Sequence, residues 1–420
     1  MNQPLTILIA AAGIFLASCG HKPPVMETGG THPMPGEWID RDTDHRVVRL
    51  TGPDGDHRSF YFHNNPFIPA ASPDENDLMV YYGYGPGSTN DREVDLRPQR
   101  QLFAMDVETG GSVQITRHPL PISGEIAGKR REEVFYQSGD SVFSTHVRTG
   151  ETKPVFVFPD SIRGQVTTLN ADETLLAGVY SGEKKLDLLR RMPRKGDYFT
   201  AIFEARLPHT LFIIDLENSE LQEIFTDTAW LNHVQFSPTD PNLLMFCHEG
   251  PWHLLDRIWT IGINERVPRL MHRRTVHREI AGHEFFSPDG RTIWFDLQVP
   301  RGETFYLAGV DLATGEERRY ALTRNEWSVH FNISPGEKLF AGDGGDSSQV
   351  ARAPDGMWIY LFRPEGDSLQ ARKLVNMKNH DYRLEPNVHF TPDGKRVIFR
   401  ADFGNGSQVY AVDVAPGRGG

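Results

Sequence analysis

The sequence is short of cysteine, of positive charge and of long apolar runs. Two cysteines in 420 residues exclude a disulfide-stapled scaffold. Lysine and arginine number 44 against 56 aspartates and glutamates, a net charge of −12. That balance argues against a nucleic-acid partner. It also means that an anionic ligand would have to meet positive charge gathered locally. Apart from Leu5–Leu16, no stretch is long and apolar enough to suggest a membrane span. A hydrophobic share of 38% with 24% charged residues is that of a soluble globular chain.

The one apolar run ends in Leu16-Ala17-Ser18-Cys19. It is too short to span a bilayer comfortably and resembles a bacterial lipoprotein signal. The resemblance implies that residues 1–19 are a signal peptide and that Cys19 is lipidated. Residues 20–44 are then expected to be a flexible tether, its start rich in proline and glycine. Cys247 would be left without a disulfide partner. Gly20 after the cysteine suggests sorting to the outer membrane, facing the periplasm, with the lipid as the only membrane contact.

What is abundant is a repeat. Asn232-His233-Val234-Gln235-Phe236-Ser237-Pro238 returns as Gly282–Pro288, Val329–Pro335 and Pro386–Pro392. Five positions before each proline stand His233, His283, His330 and Asn387. Around these motifs, short β-type runs alternate with turns such as Ser-Pro-Asp-Gly and Thr-Gly. Proline fixes φ at the first turn position and glycine accepts a positive φ. Seven such units fill residues 45–415. A period of about 40–60 residues with three or four strands predicts an all-β, seven-bladed β-propeller. A pair of β-sandwiches fits the even spacing less well. The first strand of a blade lines the central channel, so the four repeated polar residues are expected to converge there. Few residues follow the last strand, so any chemistry should sit on the propeller itself.

Two further features carry chemistry. Cys247-His248-Glu249-Gly250-Pro251-Trp252-His253 is followed by Asp256-Arg257-Ile258-Trp259. A basic region runs through Arg190, Arg191, Arg194 and Lys195 to Arg206. It reads either as a solvated loop or as a set of carboxylate binders, since the guanidinium fork pairs with carboxylates. His253, His272, His277 and His380 read as surface groups, and Gly342-Asp343-Gly344 as a blade turn.

The His-Glu-Gly-Pro and Gly-His-Glu motifs, with Asp256–Trp259 and the unit from Glu385, resemble the oligogalacturonate lyases, a family of seven-bladed propellers. The resemblance covers most of residues 45–415. It implies β-elimination on short uronate oligosaccharides, with a divalent metal, usually manganese, beside the substrate carboxylate. By motif, His283 corresponds to the base, Arg257 to an arginine near the sugar and His330 to a metal ligand. His233 and His248 are expected near the substrate, with Arg206 among the carboxylate binders. The last unit departs from the family, which has a Gln and a His-Pro-His pair there. This chain has Tyr382 and Glu385-Pro386-Asn387. Glu385, Asn387 and His389 are therefore the expected remaining ligands. Their oxygen donors suit Mn²⁺, Mg²⁺ or Ca²⁺. The expected partner is an acidic oligosaccharide, and the expected state a monomer. Two alternatives stand beside this reading: an eliminase or isomerase for another acidic sugar, and a non-catalytic envelope propeller of the TolB kind. A prolyl-peptidase-type hydrolase is excluded because it would need an α/β domain.

Overall fold

The computed structural model describes residues 22–53, 55–84, 100–192, 194–349, 351–403 and 406–417. Cys19 and the signal segment lie outside them. Among the described residues no helix is long and apolar enough to cross a membrane. The strands fall into seven antiparallel groups that follow the repeats, at 57–114, 122–157, 164–227, 230–270, 280–321, 331–376 and 389–416. The chain is a seven-bladed β-propeller. Blades five and six are additionally joined at their outer strands by one parallel bridge, Ala321 to Ser368.

A blade has two apolar faces and cannot bury either alone. Strand alternation solves this by sending successive side chains to opposite neighbours. In Leu243–Glu249, Leu244 and Phe246 pack toward blade three, whereas Met245 packs toward blade five. The result is seven apolar clusters among the described residues, each filling the gap between two successive blades.

The ring is closed from both ends of the chain. His45–Arg49 pairs antiparallel with Ser407–Pro416 as an outer strand of the seventh blade. Glu37–Asp40 pairs with His45–Arg49, and Val25–Met26 lies parallel to Glu37–Asp40. The described part of the expected tether, 22–44, is thus folded onto the last sheet. Trp38 explains why. Its ring is fully buried in the cluster between blades six and seven, and its Nε1–H donates to Thr28 at 2.8 Å.

Blade three carries a helical insertion, α1 (Glu183–Arg191) and α2 (Lys195–Ala205), between its second and third strands. The basic region read from the sequence lies here, on helices rather than in a loop. The expectation of surface histidines fails for His272 and His380. Both are buried, His272 between Glu317 and Glu279 at 2.6 and 2.9 Å, and His380 against the Leu384 carbonyl.

Candidate active site

The repeated address is a β-bulge. The ladder between the first two strands shifts register between Asn232 and Gln235 in blade four, and between Gly282 and Phe285 in blade five. His233 and His283 take the left-handed conformation there, with φ of 48° each, and Asn387 has φ of 52°. Such a φ is uncommon outside glycine and re-aims the side chain out of the pleat. Here it turns the imidazoles toward the axis. His283 and His330 meet edge to face, with ring centroids 4.9 Å apart.

A cavity of about 750 Å³ opens at this mouth of the channel. His283 lines it. Its Nδ1–H donates to Asp296 at 2.7 Å, and Asp296 lines the cavity too. The carboxylate fixes the tautomer and leaves Nε2 with its lone pair free. Burial pulls the imidazole pKa down, but the charge and hydrogen bond of Asp296 outweigh it, and the net shift is upward. Gly282 leaves room for this pair, since a Cβ there would lie 3.0 Å from the Asp296 oxygen.

Arg257 is buried between two carboxylates. Its Nη1 donates to Glu249 at 2.7 Å, and Nε and Nη2 donate to Glu284 at 2.8 and 3.3 Å. Burial raises the Glu284 pKa, but Arg257 overrides it and holds the carboxyl at about 2. The cluster of Arg257, Glu249 and Glu284 therefore carries one net negative charge. His233 faces the two carboxylates at 3.8 and 3.9 Å, and burial lowers its pKa. Glu249 and Glu284 were not singled out from the sequence, although they stand inside the two quoted motifs. His248, one residue before Glu249, points to the opposite face of its strand. It stacks on Trp259 with centroids 4.8 Å apart, outside the cavity lining.

The expected ligand set is split. His330 is fully buried, with Nδ1 donating to Asp343 at 2.7 Å. Asp343, read as part of a turn, also accepts the backbone N–H groups of Val329 and His330. The His330 Nε2 has no hydrogen-bond partner among the described residues and lies 3.8 Å from a Glu385 oxygen. Asn387 is engaged elsewhere, its Oδ1 accepting the Phe62 N–H at 2.9 Å. His389 is engaged too, its Nε2 shared between the carbonyls of Tyr61 and Asn64 at 3.2 Å each. Both hold the turn Phe60–Asn64, which fills the axis between the blades. Tyr61 lines the cavity on one side of this turn. Phe62, His63 and His389 line a second cavity, of about 400 Å³, on the other.

Positive charge collects at the rim. Arg278, Arg301, Arg324 and Arg352 come from loops of blades five and six, and Lys195 from α2 opposite them. Arg301 N–H donates to the Arg278 carbonyl, and the Arg324 guanidinium donates to the carbonyls of Gly302 and Ala351. These bonds link the four arginines into one strip. None of them has an ion-pair partner among the described residues. Spaced far apart in sequence, they form no run that a linear reading could detect. Arg206 is exposed, caps α2 in the left-handed conformation and lies outside the cavity lining. The insertion contributes instead through Lys195 and through Phe199, which packs on Trp230 and on Trp252, a cavity residue.

The model of the oligogalacturonate lyase family matches residues 36–417. An oligogalacturonide lyase of Pectobacterium atrosepticum is 23% identical over 396 residues, covering 90% of this chain and 95% of its own. An oligogalacturonate lyase of Dickeya dadantii is 23% identical with the same coverage. Among solved structures, an oligogalacturonate lyase in complex with manganese superposes with a TM-score of 0.74 at 21% identity, covering 90% of this chain and 96% of the other. The enzyme of Vibrio parahaemolyticus gives the same TM-score at 23% identity, with the same coverage. Over nearly its whole described length, this chain belongs to the oligogalacturonate lyase family and is a lyase.

Proposed function

We propose that the cavity cleaves a short uronate oligosaccharide by β-elimination, with His283 as the base. One observation carries the reading. His283, braced by Asp296, opens onto a cavity rimmed by arginines that have no ion-pair partner among the described residues, in a chain of net charge −12. An imidazole whose Nδ1–H is held by a carboxylate presents a lone pair at Nε2, and its pKa range suits proton abstraction near neutrality. The strip of arginines supplies the positive charge that substrate carboxylates require. Arg257 is committed to Glu249 and Glu284, so its part is to hold the charged floor of the site beside the sugar.

The relative solved with manganese raises the question of a metal here. His330 and Glu385 fit a divalent ion. One presents an orphaned, buried nitrogen, the other a carboxylate 3.8 Å away, and Asp343 holds the far side of the imidazole. A carboxylate behind a histidine is the usual support of a metal ligand. Among the described residues no group of three His, Cys, Asp or Glu could hold an ion, so water and the substrate carboxylate would complete the shell. The ion would neutralise that carboxylate and so acidify the neighbouring C–H. Manganese, magnesium and calcium all suit an oxygen-rich shell. We further propose that Cys19 is lipidated and tethers the propeller at the outer membrane.

The test is to follow ultraviolet absorbance of the unsaturated product from di- and trigalacturonate with Mn²⁺. A signal that EDTA removes and His283→Ala abolishes supports the elimination, its base and its metal; lipidation is tested separately, by the mass of the mature N-terminus in wild type and Cys19→Ala. Full activity of His283→Ala would overturn the base. Silence on galacturonate with metal bound would move the enzyme to another acidic sugar.

A further inference from the structure

β-Elimination moves two protons, and His283 accounts for one. The oxygen that leaves C4 needs a proton as its bond breaks. The cavity contains few groups able to supply it. The arginines do not release protons. The two nitrogens of His233 face Glu249 and Glu284. Ser328 donates to the Glu326 carbonyl. Lys195 is exposed at the outer rim.

The geometry points to Tyr61 as the proton donor to the leaving oxygen, an assignment that rests on reading the cavity as an eliminase site. Tyr61 lines the cavity, and its hydroxyl has no hydrogen-bond partner among the described residues. Tyr61 is half-buried, and its hydroxyl opens into the cavity. Its ring packs edge-on against His330 at 5.2 Å, and His283 packs on the same imidazole at 4.9 Å. Base and phenol therefore flank one side chain, from different elements. A phenol keeps its proton through the neutral range, so the donor is protonated when substrate enters.

The turn bearing Tyr61 is fixed by three side chains from two blades. Asn387 takes the Phe62 N–H, His389 holds the Tyr61 carbonyl, and Asn332 donates to the Phe62 carbonyl at 3.4 Å. Asn387 and His389 are thus positioning residues for the donor. The step balances as follows. His283 Nε2 takes the C5 proton, and that bond's electron pair becomes the C4–C5 double bond. The C4–O bond breaks with its pair on oxygen, and Tyr61 gives that oxygen its proton. The phenolate recovers a proton from water, and the imidazolium returns its own.

The experiment compares wild type, Tyr61→Phe and His283→Ala on digalacturonate and on a galacturonide carrying fluoride at C4, a leaving group that needs no proton. Tyr61→Phe keeps the ring packing, and thermal melting checks the fold. The expected result is a kcat loss of about a hundredfold or more on digalacturonate, with KM little changed and the fluoride substrate turned over close to the wild-type rate. His283→Ala loses both. Wild-type activity of Tyr61→Phe on digalacturonate overturns the assignment while leaving the base intact. An equal loss on both substrates overturns it in favour of a packing role. An active His283→Ala overturns the base, and a wild type that forms no unsaturated product from either substrate overturns the eliminase reading itself.

Discussion

Nδ1 of His283 lies 2.7 Å from Oδ1 of Asp296, which stands on the neighbouring strand of the same blade. An amide in place of the carboxylate would no longer stabilise the imidazolium and could hold the wrong tautomer. Asp296→Asn is therefore expected to lower kcat by about 10²–10⁴-fold while substrate still binds. Steady-state kinetics on trigalacturonate would check this, and an unchanged kcat would remove Asp296 from the mechanism.

The arginine strip should act in binding rather than chemistry. Arg301→Ala and Arg352→Ala are expected to raise KM with kcat nearly unchanged, since both side chains are exposed on the rim. Added salt should weaken substrate binding to the wild type more than to the variants, because exposed charges are screened. Equal salt dependence in all three proteins would mean that the strip does not meet the substrate.

Metal binding separates the former ligand candidates. Calorimetric titration with Mn²⁺ should give no binding in His330→Ala. Asp343→Asn should weaken it by about 10–100-fold, as loss of a supporting carboxylate does. His389→Gln should bind as wild type, because His389 faces the second cavity. A loss of metal in His389→Gln would contradict this arrangement.

Asn387 should be structural. It combines a φ of 52° with acceptance of a buried N–H from Phe62. Asn387→Leu is expected to destabilise the fold by about 2–4 kcal/mol, from the unsatisfied donor and the left-handed backbone. Asn387→Asp keeps the acceptor and should cost much less. Urea unfolding of the two variants decides between this and a role confined to the cavity.

Acid should loosen the same turn. Burial lowers the His389 pKa to about 4 despite its carbonyl partners. Below the unfolded value of about 6.5, the unfolded chain binds a proton that the folded one does not. Stability contributed by neutral His389 is complete above that value and falls on acidification toward pH 4, by about 1.4 kcal/mol per pH unit. The difference between wild type and His389→Gln in urea midpoint, measured at pH 7 and pH 5, isolates this residue. An identical pH slope would show that His389 is not buried neutral.

The propeller was legible because blades repeat, and repetition turns weak strand signals into a strong one. His233, His283, His330 and Asn387 were found by the same logic. Register can find an address, but it cannot tell what a side chain does there. Asn387 occupies the address of the histidines yet binds a backbone N–H, because the Phe60–Asn64 turn inserted from elsewhere meets it first. Tyr61 sits in that non-repeating turn and carries no motif. Glu249 and His248 are adjacent in one motif, but strand alternation sends them to opposite faces, and the reading chose the histidine over the carboxylate. The two helices were missed because they interrupt a blade at a point where the pattern predicts only a loop.

The seam between His45–Arg49 and Ser407–Pro416 also orders the birth of the molecule. Along the described chain His45–Arg49 precedes every strand of the seven blades, and its partner Ser407–Pro416 follows them. Until the seventh blade has formed, Trp38 has no complete cluster to enter. During that interval both edges of the unfinished ring present unpaired backbone groups, the condition under which strands recruit wrong partners. Closure of the ring therefore depends on keeping residues 25–49 unpaired until Ser407–Pro416 arrives.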